Sequence, residues 1–127
     1  MSEPEAISFG GQKFVPNDKF LRRIPWWHLK KTGEISSAAF QNDRGTNSIS
    51  TNWMKLSSVL ETLRGHDGFG VASITAELCW GLAQIIEWEP AEDNVAHCDI
   101  VGRKTESITK KFRDGAKYLV LPVQPDY

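Results

Sequence analysis

Apolar and polar positions alternate along several short runs of this chain, and each run ends at proline, glycine or a cluster of turn-forming side chains. The first, Phe20-Leu21-Arg22-Arg23-Ile24, reads as a strand stopped by Pro25, which has no amide to offer a ladder. Trp26-Trp27-His28-Leu29 then leads into a polar turn at 30–34, where Gly33 suits a positive φ. A second strand is expected over 35–40, its Ser36, Ser37, Ala38 and Ala39 leaving room for close approach. A third is expected over 48–52, beyond the turn-rich stretch 42–47.

Helical spacing takes over after Trp53. Leu56, Val59, Leu60 and Leu63 fall on one face, with Asn52 or Ser57 as the cap and Gly65 as the stop. A short strand over 71–74 follows, and Thr75 then caps a helix of about two turns. Glu77 sits near that helix's positive end, and Leu78, Cys79 and Leu82 form its inner face.

Ile86 and Trp88 alternate with Glu87 and Glu89, which marks a half-exposed strand ended by Pro90; another strand is expected over 95–101. The last helix carries Ile108, Phe112, Ala116 and Leu119 as its apolar stripe, with Lys110, Lys111 and Arg113 beside it and Gly115 as a weak point. The tail from Val120 is expected to form an edge strand or to pack down. Such irregular interleaving predicts an α+β class: a single domain over 18–127 with a mixed or mainly antiparallel sheet and two or three short helices, preceded by a partly ordered arm over 1–17.

Composition changes this picture little but narrows the function. A chain of 127 residues with 40% hydrophobic side chains can bury one core. Its net charge of −1 supplies no global positive field, which argues against general nucleic-acid binding and requires any polyanion site to be a local patch. The acidic start Met1-Ser2-Glu3-Pro4-Glu5 and the lack of a long apolar run point to a cytoplasmic protein without a membrane segment. Cys79 and Cys98 are expected as reduced, buried thiols. Of the 5 tryptophans, at least one of the pair Trp26-Trp27 is expected to be partly exposed.

The chemistry gathers in four places. At Gly102-Arg103-Lys104-Thr105 a strand meets a helix start, where free amides, a positive dipole end and two basic side chains suit a phosphate, although the residue pattern is not a P-loop. His97 and Cys98 point to opposite sheet faces; this leaves the cysteine in the core and His97 available as an acid or base. His28, His66 and His97 show no metal-ligand spacing, so no metal is expected. Arg22 and Arg23 also alternate faces, and an inward arginine needs a partner, expected as Asp99, Glu61 or Glu87. Trp26 and Trp27 offer a stacking platform or a partner hot spot.

From Phe20 to about Leu119 the chain resembles a family of small uncharacterised bacterial proteins, through Arg22-Arg23-Ile24-Pro25, Ser36-Ser37-Ala38-Ala39-Phe40, Gly68-Phe69-Gly70-Val71-Ala72 and Asn94-Val95-Ala96-His97. The family pattern commonly has proline where Val95 stands, and the resemblance carries no activity with it. A fainter similarity is to the RES-type members of the ADP-ribosyltransferase fold, which place an arginine on the first strand and polar groups on later strands around NAD. It implies roles for Arg22 or Arg23, Ser36-Ser37, Ser50 and Glu61, but the usual glycine-rich segment around a second arginine is missing.

The expectation is therefore a small cytosolic binding domain, an accessory component of a bacterial system, that recognises a protein partner or a phosphate-bearing ligand. Its binding residues are expected among Arg22, Arg23, Trp26, Trp27, His28, Ser36, Ser37, His97, Arg103, Lys104 and Thr105. The alternative is an ADP-ribosyltransferase-like enzyme, the one reading that calls for a cofactor, NAD.

Overall fold

The computed structural model describes residues 14–125. Its frame is a six-stranded sheet built from β1 (Lys19–Ile24), β2 (Ser48–Trp53), β3 (Gly70–Thr75), β4 (Ile85–Trp88), β5 (His97–Val101) and β6 (Lys117–Val120). The strand order is β4-β5-β2-β1-β3-β6, and every neighbouring pair is antiparallel. With the helices α1 (Val59–Leu63), α2 (Ala76–Gly81) and α3 (Glu106–Gly115), this is an α+β fold. Among the described residues no helix is long and apolar enough to cross a membrane.

Period-two alternation sends Phe20, Ile24, Ile49, Trp53, Ala72, Ile74, Cys98 and Ile100 to one face of the sheet, where they form the core. That face is covered by Phe40, from the 3-10 turn Ser37–Phe40, and by Phe112 of α3, whose rings stack 6.1 Å apart. Cys79 and Cys98 are free thiols, fully buried, as expected. Phe14 also enters this core, with ring centroids 5.3 Å from Phe20 and 4.8 Å from Trp53. The end of the expected arm is thus tied down, while its residues 1–13 lie outside the described residues.

Three elements differ from the pattern reading. Residues 35–40 form no sheet strand: Ile35 bridges Leu29, the Ser36 amide donates to the His28 carbonyl, and the Ser36 side chain accepts from the Ala38 amide. A serine that serves its own backbone favours a turn over a ladder. α1 starts later than expected, with Ser58 as its cap, and of the apolar stripe assigned to it Leu56 and Leu60 face water, Leu60 being 80% exposed, while Val59 and Leu63 are half-buried. Its buried residue is Thr62. Finally, α3 stops at Gly115, where Leu78 lies 3.0 Å from the place a Cβ would take; Leu119 therefore belongs to β6 and not to the helical stripe. The tail then crosses Gly68 and Gly70, the Val123 amide donating to the Gly68 carbonyl, and a side chain at Gly70 would run into the Val120 carbonyl and Pro122.

Candidate functional site

β1 pairs with β3 along its whole length but meets β2 only at Phe20–Trp53 and Leu21–Asn52. Beyond Leu21 the two central strands part, and the sheet opens into two three-stranded halves. The cause is Arg22. Its guanidinium enters the gap and spends its donors on both sides: Nη1 on the Ser50 carbonyl at 3.1 Å, Nε on the Ala39 carbonyl at 3.1 Å and Nη2 on Asp43 Oδ1 at 3.0 Å. The side chain takes the place of the ladder hydrogen bonds that β2 would have given β1.

Asp43 is the partner that Arg22 needs, in place of the expected Asp99, Glu61 or Glu87. Partial burial alone would raise the Asp43 pKa. The Arg22 charge, with hydrogen bonds from Arg22 and Ser50, outweighs that and holds the carboxyl below its ordinary value.

The parted strands leave a polar cleft of about 260 Å³. Arg22 and Asp43 line it together with Arg23, Ser50, Asn52 and His97, and with Leu21, Thr51, Thr62 and Asn94. Arg23 differs from its neighbour in having no carboxylate within ion-pair distance among the described residues; its one hydrogen bond runs from Nη1 to the Thr62 carbonyl at 3.1 Å. Half-burial, then the nearby Arg22 charge, lower its pKa below the usual arginine value, so the site holds a cation that would gain from an anion.

Around Arg23 the amides are themselves fixed. Asn52 donates to Thr62 Oγ1 at 3.0 Å and accepts from Asn94 at 2.8 Å. His97 hydrogen-bonds Asp99 through Nε2 at 3.0 Å, which leaves Nδ1 as the ring nitrogen without a partner among the described residues. A second groove, of about 480 Å³, shares Arg23, Asn52 and Asn94 with the cleft and adds Glu61, Arg64 and Asp93. Among the described residues no cluster of histidine, cysteine and acidic side chains converges as metal ligands.

No family model, curated protein or solved structure matches the chain.

Of the residues singled out from sequence, Arg22, Arg23 and His97 come together in the cleft. Trp26 and Trp27 lie elsewhere, in a pocket with Gly65, His66, Asp67 and Phe69. His28 sits in a 3-10 turn, where burial and the Arg22 charge lower its pKa. Ser36 caps the next such turn and Ser37 begins it, so neither lines the cleft.

The Gly102–Thr105 corner is also separate, and the side chains of Lys104 and Thr105 there are engaged by the chain itself. Lys104 Nζ donates to the Ile100 and Gly102 carbonyls at 2.9 and 3.1 Å, and the Thr105 hydroxyl accepts from the Ile108 amide. Burial lowers the Lys104 ammonium to about 8. Arg103 is exposed, and its carbonyl is held by Gln84.

Sequence reasoning missed Asn52, Thr62 and Asn94. The signal for Asn52 was present: Ser48, Ser50 and Asn52 alternate with Ile49, Thr51 and Trp53, so a polar strand face stands against a largely apolar one.

Proposed function

We propose that this protein is a cytoplasmic binding domain for a phosphate-bearing ligand, held in the cleft between the two halves of the sheet and anchored on Arg23. The observation that carries this reading is the contrast between adjacent arginines in one cleft: Arg22 is neutralised by Asp43, whereas Arg23 is half-buried and lacks an acidic partner among the described residues. An unpaired cation out of water is costly, and a phosphate oxygen removes that cost through charge-assisted hydrogen bonds.

Size refines the ligand class. A space of about 260 Å³ fits a phosphate or diphosphate but falls short of a whole nucleotide. The adjoining groove supplies room for the remainder, and its Glu61 and Asp93 carboxylates suit sugar hydroxyls better than a further phosphate. A nucleoside diphosphate or a sugar diphosphate meets both demands.

Thermal denaturation against pyrophosphate, ADP, ADP-ribose and NAD tests the reading, because a ligand of the native state raises the midpoint. Stabilisation by at least one of these is expected, with affinity falling about 10- to 100-fold in Arg23→Gln. No stabilisation by any of them counts against the proposal.

A second reading, ADP-ribosyl transfer from NAD, is favoured by one feature: the first-strand Arg23 and Ser50 of β2 line the same cleft, with Glu61 in the adjoining groove, three of the residues that the resemblance implies, whereas Ser36 and Ser37 lie outside both. It predicts nicotinamide release on incubation with NAD, abolished in Arg23→Gln. Binding of NAD without release leaves the binding reading alone.

A further inference from the structure

Another pocket, away from the cleft, is lined mainly by aromatic rings set edge to face. Trp26 and Trp27 meet edge to face at 5.3 Å and 86°, Trp27 and Phe69 at 5.6 Å and 86°, and Phe69 and His66 at 5.1 Å and 67°. Trp27 is 59% exposed, an expensive way to leave the largest side chain unless its ring face is used. Asp67 is the one acidic side chain among the lining residues, and no lysine or arginine is among them.

We propose that this pocket binds an alkylammonium group, the cationic head of a quaternary amine or a methylated lysine. The faces of π systems attract a cation, and rings inclined at 67° to 86° to one another can border a tetrahedral cation on more than one side, whereas a flat base would stack on only one ring. Asp67 adds the matching charge. Phosphate is disfavoured here, since the lining offers it no lysine or arginine and one like charge. The chain already uses this chemistry within itself, Lys55 Nζ lying 5.2 Å from the centroid of the Trp53 ring. His66 fits the role of a wall, since its Nδ1 is held 2.9 Å from the Arg64 carbonyl and its ring orientation is thereby fixed.

The test follows the indole N–H signal of Trp27, assigned through Trp27→Phe, during titration of the full chain with choline and with 3,3-dimethylbutan-1-ol, its uncharged isostere. Saturable shifts with choline and at least about threefold weaker binding of the isostere are expected, with a loss of similar size in Asp67→Asn and near-complete loss in Trp27→Ala, where binding is read from the Trp26 indole N–H signal instead. Because Trp27 is largely exposed, its replacement should leave the fold intact, and Asp67→Asn provides an independent variant if it does not. Equal binding of the isostere, or no shift with choline, overturns the proposal. Peptides carrying lysine or trimethyl-lysine separate the sources: tighter capture of the trimethylated peptide than of choline assigns the group to a peptide side chain, and equal capture assigns it to a free solute. Arg23→Gln, which tests the cleft, should leave choline binding unchanged.

Discussion

Two basic regions of this molecule look alike in sequence and differ in what their charges do. At the Gly102–Thr105 corner, Lys104 folds back onto two backbone carbonyls and Thr105 caps α3. At the mouth of the split sheet, Arg22 is likewise consumed, by two carbonyls and Asp43, but Arg23 beside it keeps most of its donors for something else. The lesson is that a basic residue favours an anion site where the fold leaves it both unpaired and partly buried, as it does Arg23 but not the exposed Arg103. Arg22 makes the cleft, and Arg23 is what the cleft offers.

The largest effect expected from breaking this arrangement is on stability. Arg22→Leu removes three hydrogen bonds and leaves Asp43 without its cation, and because Asp43 keeps some contact with water the cost should be about 2–4 kcal/mol in urea denaturation. Arg23→Gln should instead change stability by less than about 1 kcal/mol, having one backbone hydrogen bond to lose. A comparable loss at both positions would erase the distinction between them.

Next in size is the acid limb. Asp43 is held below its ordinary pKa in the fold, so the unfolded chain binds its proton first as pH falls. Its contribution is present above about pH 4 and is lost as pH drops through the folded value. Asp43→Asn should therefore be less stable at pH 7 and show a shallower loss of stability below about pH 4, measured by denaturant midpoints across pH. The smallest effect is at the corner: Arg103→Ala with Lys104→Ala should leave pyrophosphate and nucleotide affinity within about twofold of the native chain, since Lys104 already has its acceptors and the exposed Arg103 lies outside the cleft.

How much of this was legible depended on whether a feature is local. Strand alternation over 20–24 and 48–52, the cap Thr75 and a helix start at Thr105 follow from neighbours a few residues apart and agree with the structure. α1 misled because Leu60 has helical spacing but no surface to pack on, while Thr62 is drawn in by Asn52, ten residues away. The 35–40 segment misled because the Ser36 hydroxyl competes for the backbone.

The cleft itself could not be read locally. It depends on Arg22 reaching carbonyls 17 and 28 residues further along, and on strand order bringing His97 of β5 beside β2. That Arg22, Arg23 and His97 were chemically able was visible; that they share a space was not. Trp27 was expected at the surface and is there, but its companions His66 and Phe69 come from a loop some forty residues on and gave no sign of joining it.

The most direct test is to watch individual arginine side chains by their Nε–H NMR signals while pyrophosphate is titrated into the native protein. The Arg23 signal should shift and saturate, Arg22 should move less because its Nε already donates to Ala39, and Arg103 should stay in place. If instead Arg103 shifts and Arg23 does not, the anion site is at the corner and the account of the cleft is wrong.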